Sequence, residues 1–197
     1  MKEEQITQFI SDYLDNLQSL KIAEESIARF RESIKVVHTK SKKTLVNSGD
    51  ICKHMFLIMQ GGFVCRYVHE KTGAAKTINF YLPNLHPIMA CVDSYFTQVP
   101  SNCELKAIAD SIVVAIPKTV IDELNNADPN MAKFYHSMVI TAMVEENELK
   151  TKLIAYSSKE KYDFIVEELP AVIQSVPSKY IAEFCGISAE WLSKLKK

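Results

Sequence analysis

The stretch from Thr44 to Val68 constrains this chain more than any other. It holds a Ser48-Gly49-Asp50 turn, the run Met55-Phe56-Leu57-Ile58-Met59-Gln60, a Gly61-Gly62 step and the run Phe63-Val64-Cys65-Arg66-Tyr67-Val68. Short apolar runs bounded by glycine are strand signals. Gly49, Gly61 and Gly62 are read as positions of positive φ, which other residues resist. On spacing alone the segment predicts a β-meander.

The order of the elements adds to this. Leu45-Val46-Asn47-Ser48-Gly49-Asp50 followed by Phe56-Leu57-Ile58-Met59-Gln60-Gly61 resembles the jelly-roll core of cyclic-nucleotide-binding domains. The resemblance runs over nearly the whole chain, which is similar to transcription regulators of the Crp/Fnr family, relatives of the cAMP receptor protein. It implies an α+β fold with three parts. A cyclic-nucleotide-binding-like β-roll, a double-stranded jelly roll, covers 1–127. A long dimerisation helix covers 128–156, and a helix-turn-helix DNA-binding domain covers 157–197. The implied function is that of a homodimeric regulator that binds palindromic promoter DNA and answers to a small-molecule effector of unknown identity. RNA polymerase is a further partner on this reading.

Composition sets outer bounds. The 197 residues suffice for one good-sized domain and a small one, and 47% are hydrophobic, as in ordinary globular proteins. The formal net charge of -1 gives the whole molecule no strong field for polyanions. No apolar run is long enough to span a membrane. The start, Met1-Lys2-Glu3-Glu4, lacks the apolar core of a signal peptide. Five cysteines, odd in number and widely spaced, make no disulfide framework. A reduced, cytoplasmic protein is expected.

Before the glycine-rich stretch, Ile6, Phe9, Ile10, Tyr13, Leu14, Leu17 and Leu20 recur at helical spacing. A second helix is expected over 23–33 and a strand over 34–38. After it, strands are expected over 75–82, with Ile78, Phe80 and Leu82 on one face, and over 103–108 and 112–116. Residues 84–100 read as irregular, and 119–125 as a short helix.

Asp128-Pro129 opens the longest helix, since Asp is a good N-cap and Pro suits the first helical position. Met131, Phe134, Tyr135, Met138, Ala142, Leu149 and Leu153 follow at spacings of three, four and seven. A helix over 129–155 would be about 40 Å long, more than a small β-roll covers. The stripe is therefore read as a dimer seam, polar where Glu145, Glu146 and Asn147 interrupt it. A helix packed along its own domain is the competing reading.

At the C-terminal end, Lys159 to Leu169 reads as a helix stopped by Pro170. From Val176 to Leu195 the layout is helix-turn-helix, with Gly186 in the turn, Ser188 as cap, and Leu192 and Leu195 as anchors. Ser188, Ala189, Glu190, Ser193 and Lys194 are expected at the major groove, with Lys179 and Lys197 on phosphates. By resemblance, Glu190 and Lys194 match the family's acidic and basic base-readers, and Ala189 stands where Arg is frequent. Lys179, Lys194, Lys196 and Lys197 face only Glu183 and Glu190 in this region, a weak positive balance. Family members continue into a β-hairpin wing, so the resemblance implies a helix-turn-helix lacking it. The alternative is a ligand-sensing or scaffold dimer that has lost specific DNA binding.

Catalytic and metal signatures are missing from the pattern. His38, His54, His69, His86 and His136 do not pair, and there is no His-x-His or Cys-x-x-Cys. Cys52, Cys65, Cys91, Cys103 and Cys185 sit mostly in apolar context, where Cys behaves as a small hydrophobe. No cysteine precedes Cys52, against the N-terminal cluster of the family's iron–sulfur sensors. No enzyme, metal or cofactor is expected, and a cupin-like enzyme would need His-rich motifs.

The resemblance also implies a ligand pocket under residues 84–103, yet not one for cAMP. The family's Gly-Glu step falls within Ile88-Met89-Ala90-Cys91, and its Arg-Ser/Thr step at Ser101-Asn102. Neither the ribose-binding Glu nor the phosphate-binding Arg is present, and a buried phosphate without a cation is costly. The polar contacts from the long helix fall at Glu146 and Asn147. The remaining lining is Tyr81, Leu85, His86, Ile88, Met89, Tyr95, Phe96 and Met138. It suits a small apolar or aromatic ligand, or a pocket filled by its own side chains.

Overall fold

Among the described residues, 1–195 of this computed structural model, the strands are β1 (Lys35–Thr39), β2 (Thr44–Val46), β3 (His54–Gln60), β4 (Phe63–Val68), β5 (Ala75–Tyr81), β6 (Ile88–Met89), β7 (Cys103–Ala107) and β8 (Ser111–Pro117). They form two antiparallel four-stranded sheets, ordered β1-β8-β3-β6 and β2-β7-β4-β5. The two sheets enclose Phe56, Ile58, Phe63, Tyr81, Leu105 and Val113. This is the expected jelly roll.

Two local readings need correction. β3 and β4 lie in different sheets, so Gly61-Gly62 carries the chain across the roll and closes no meander. Gly61 has φ +81°, but Gly62 does not share the positive φ. Its need is space, because a Cβ there would come within 2.5 Å of Leu82 Cδ2 and 3.2 Å of the Tyr81 carbonyl. On β5, Cys65 pairs with Asn79 and Arg66 with Thr77, which leaves Ile78 as the extra residue of a β-bulge. The bulge turns Ile78 outward while Phe80 and Leu82 stay buried, so the three do not share one face.

The helices α1 (Glu3–Ser19), α2 (Glu24–Ser33) and α4 (Lys118–Ala127) bring Leu14, Leu17, Phe30, Val120 and Leu124 onto Leu57, Met59, Val114 and Ile116 of the first sheet. The segment read as irregular holds β6 and a short helix, α3 (Val92–Thr97). α3 is fixed by side chains, since Ser94 Oγ accepts from the Cys52 amide at 2.9 Å and Gln98 Nε2 donates to the Tyr95 carbonyl at 2.8 Å.

α5 (Pro129–Ala155) starts as its sequence dictates. Asp128 Oδ1 accepts from the Asn130 and Met131 amides, and Oδ2 from the Ala23 amide at 2.8 Å. The hydrogen bond from Ala23, then those from the helix amides, hold the Asp128 carboxyl below its usual range. One carboxylate thus caps α5 and pins the start of α2 to it.

The C-terminal helices are α6 (Ser158–Glu168), α7 (Pro170–Ser175), α8 (Ser178–Cys185) and α9 (Ala189–Leu195). Pro170 follows the end of α6 as expected and also opens α7, at the first helical position where its missing N–H costs nothing. No helix among the described residues is long and apolar enough to cross a membrane.

Candidate functional site

The helix-turn-helix is built from few parts. Gly186 takes φ +71° at the end of α8 and turns the chain. Ser188 Oγ accepts from the Trp191 amide at 3.2 Å, which caps α9. Leu192 is buried, while Ser188, Ala189, Glu190, Ser193 and Lys194 are exposed. The Glu190 carboxyl is held below its usual range by hydrogen bonding, chiefly to Ser188. Lys179 is exposed at the start of α8, with Nζ 4.4 Å from the centre of the Tyr180 ring. Each of these expected DNA-facing residues is therefore open to solvent. Lys197 lies outside the described residues.

Sequence reasoning missed how α8 is held. Its inner face packs on the outside of the second sheet, where Val64, Phe80 and Leu82 share a cluster with Ile165, Tyr180, Ile181 and Phe184. The Phe80 and Phe184 rings lie 4.8 Å apart. Beside them, Glu183 accepts from Arg66 Nε and Nη2 at 3.2 Å, from Thr77 Oγ1 at 2.8 Å and from the Thr77 amide at 3.2 Å. Arg66 also binds Glu104 at 2.8 Å and lies 5.6 Å from the Tyr180 ring centre. α8 is thus clamped to β4 and β5, and α9 stays clear of the roll's core.

The seam on α5 is a second correction. Met131, Phe134, Tyr135 and Met138 pack into the roll and the N-terminal helices, and Leu149 and Leu153 pack against the C-terminal cluster. Those residues serve their own chain. Ala142 is exposed, yet it does not belong to the apolar stripe that water reaches. That stripe is Ile140, Met143, Val144 and Ile154, which are 42%, 62%, 50% and 76% exposed. They lie on the opposite side of the helix at 100° per residue, with Asn147 and Thr151 in line. Glu145 and Glu146 turn toward the roll, to His86 at 3.4 Å and to Asn79. The Glu146 residue is exposed as a whole, but loss of hydration where its carboxyl meets Asn79 on β5 is the main cause that raises its pKa.

The residues expected to line a pocket converge only in part, and where they do they pack on one another. Tyr81, Met89 and Tyr95 are buried in the first cluster, with Ile88 and Met138 against it. Leu85 joins the C-terminal cluster instead. Phe96 is 47% exposed. Asn102 donates to Glu70 at 2.9 Å, away from the interior. Glu146 and Asn147 line a separate surface cleft with Ile78, Leu149 and Leu153. Ser101 is buried, its carbonyl accepting from the Gly49 amide at 2.7 Å and its amide donating to the Asp50 carbonyl at 2.9 Å.

No protein-family model and no curated protein matches this sequence. Solved structures do. A protein described as a transcriptional regulator of the crp/fnr family, from Eubacterium rectale, superposes with a TM-score of 0.68 at 14% identity, over 89% of this chain and 82% of that one. FixK2 from Bradyrhizobium japonicum gives 0.65 at 12% identity, over 83% and 82%. A cyclic nucleotide-binding domain containing protein from Listeria monocytogenes gives 0.65 at 14%, over 92% and 86%. The chain has the Crp/Fnr fold. At such identities the likeness is one of architecture, and it spans the roll, the long helix and the C-terminal helices of the Crp/Fnr fold together.

Proposed function

We propose that this chain is a homodimeric, DNA-binding transcription regulator whose β-roll does not bind cAMP. On this reading 1–127 is the sensor, 128–156 the dimerisation helix and 157–197 the DNA-binding domain. The observation that carries it is the capped α9 with its polar face in solvent while α8 is clamped to the roll. A helix-turn-helix reads DNA through such a free second helix.

Selection of binding sites from random duplexes tests the proposal. The wild type should enrich a palindrome. Glu190→Ala should change the bases chosen, by about 1–3 kcal/mol at the position it reads. Lys179→Ala should weaken all sequences alike and reduce the salt dependence by about one counterion. Failure to enrich any sequence at low salt would leave the dimer without a DNA role.

For the roll, Ser101 spends its backbone on the Gly49-Asp50 turn, and Tyr95, Met89 and Tyr81 fill the space beneath α3. One surface cleft against α5 is lined by Lys150 and another beside Cys52 by Lys53, and neither lining holds an arginine that could form the family's bidentate phosphate contact. Calorimetric titration with cAMP should give no heat of binding at micromolar concentrations, and a saturable heat would overturn this part of the proposal.

A further inference from the structure

The C-terminal helices are attached to the rest of the chain at two places. One is covalent: α5 gives way to α6 through two extended residues, Tyr156 and Ser157. Beside that joint, Leu149 and Leu153 of α5 pack on the C-terminal cluster, and Lys152 Nζ lies 4.3 Å from the centre of the Phe164 ring. The other is the clamp between α8 and strands β4 and β5, which joins Arg66 to a residue 117 positions further along the chain. Within the C-terminal part, α6 packs on α7 and α8, and α8 on α9. The Ile187 amide donates to the Ala182 carbonyl at 3.0 Å across the turn, and Leu192 seats α9 in the same cluster. The direction of α9 therefore follows that of α8.

Two kinds of contact hold α8, and they differ in direction. The packing of Phe184 and Ile181 on Phe80 and Val64 is apolar. Such contact is non-directional and lets a helix rock or slide on a sheet. Glu183 does not allow this. Its Oε2 accepts from Arg66 Nε and its Oε1 from Arg66 Nη2, both at 3.2 Å, as a two-pronged fork. Oε2 also accepts from the Thr77 amide at 3.2 Å and the Thr77 hydroxyl at 2.8 Å. Arg66 is fixed in turn by Glu104 at 2.8 Å and by the Ala75 carbonyl at 3.2 Å. Four donors on two strands leave the carboxylate one position and one plane. A desolvated ion pair adds little net stability over apolar packing, and its best-attested use is to fix register.

We infer that Arg66, Thr77 and Glu183 are positioning residues that set the angle and separation at which the two α9 helices of a dimer meet DNA, and so the spacing of the half-sites the protein selects. They act on DNA only through α8. The inference rests on the dimeric DNA-binding reading above. A two-fold dimer of helix-turn-helix units reads half-sites about 34–36 Å apart, one turn of duplex. One extra base pair moves a half-site by about 3.4 Å and rotates it by roughly a tenth of a turn. A domain held only at Tyr156 and Ser157 follows that shift by bending at the joint. A domain held also at Arg66 and Thr77 does not, and the re-spaced site is rejected.

The test takes the palindrome enriched by the full-length wild type and re-spaces its half-sites one base pair at a time, leaving their sequence fixed. The wild type should prefer one spacing and lose roughly tenfold or more in affinity for one inserted base pair, about the cost of a mismatched pair. Glu183→Ala removes all four hydrogen bonds and leaves Arg66 its bond to Glu104, so the loss should shrink to a few-fold with the half-site bases unchanged. Glu183→Gln keeps an acceptor for Thr77 and should fall between. Time-resolved anisotropy of Trp191, the sole tryptophan and part of α9, reads the same motion without DNA. Its slow component should follow the whole particle in the wild type and shorten in Glu183→Ala at equal sedimentation mass. A spacing profile unchanged in Glu183→Ala, or an equal slow component in the two proteins, would overturn the inference. A wild type that enriches no palindrome would remove the DNA-binding reading alone, and the Trp191 decay would still decide whether the clamp orients α9.

Discussion

Arg66→Leu should destabilise the protein by about 2–4 kcal/mol and release the C-terminal helices from the β-roll. Arg66 is the shared cation of two carboxylates, Glu104 at 2.8 Å and Glu183 at 3.2 Å. The three side chains are only 16%, 16% and 28% exposed. Removing one partner of a buried pair leaves the others charged and desolvated, at about 3–5 kcal/mol, and partial exposure reduces this. Glu183→Gln should cost less, because Arg66 keeps Glu104 and the amide oxygen still accepts from Thr77. Trp191 on α9 is the sole tryptophan, so its fluorescence follows the C-terminal helices alone. Its urea transition in Arg66→Leu should shift to lower denaturant and precede the far-UV transition. An unshifted, coincident pair of transitions would show that the clamp contributes nothing.

That clamp marks where sequence reasoning stops. Arg66 and Glu183 are 117 residues apart, and each alone looks like an ordinary surface charge. The jelly roll was legible because its signals are local: Gly49 and Gly61 at positive φ, an apolar run on β3, and an Asp-Pro start to α5. The bulge at Ile78 was hidden, since one inserted residue reverses every later position on the strand while the composition stays the same. α3 and α7, six residues each, are too short to show a helical period. Pro170 is equally at home stopping one helix or starting the next. On α5 the apolar residues were found, but periodicity says that a face is covered and is silent on what covers it.

The double substitution Ile140→Glu and Met143→Glu should convert the proposed dimer into folded monomers. From Thr141 to Glu148 every residue of α5 is exposed in the single chain, and Met143 and Val144 within that run, with Ile140 before it and Ile154 beyond it, make an exposed apolar stripe on the side of α5 opposite the inward residues. Spacings of three and four between Ile140, Val144, Asn147, Thr151 and Ile154 suit two helices packed side by side about a two-fold axis. Full burial of such side chains is worth about 1.5–3 kcal/mol each. Two glutamates per helix would instead bring four carboxylates together in the seam, so dissociation should strengthen by roughly a hundredfold or more, given that each 1.4 kcal/mol is tenfold. Sedimentation equilibrium at micromolar concentration should then fall from twice 22.3 kDa to that value, with the circular dichroism unchanged. Met138→Glu gives the contrast. Its side chain packs against the roll's core, so a charge there should lower the unfolding midpoint rather than separate the protomers. A double variant that keeps the wild-type mass, beside a Met138→Glu protein that dissociates while still folded, would return the seam to the inward stripe.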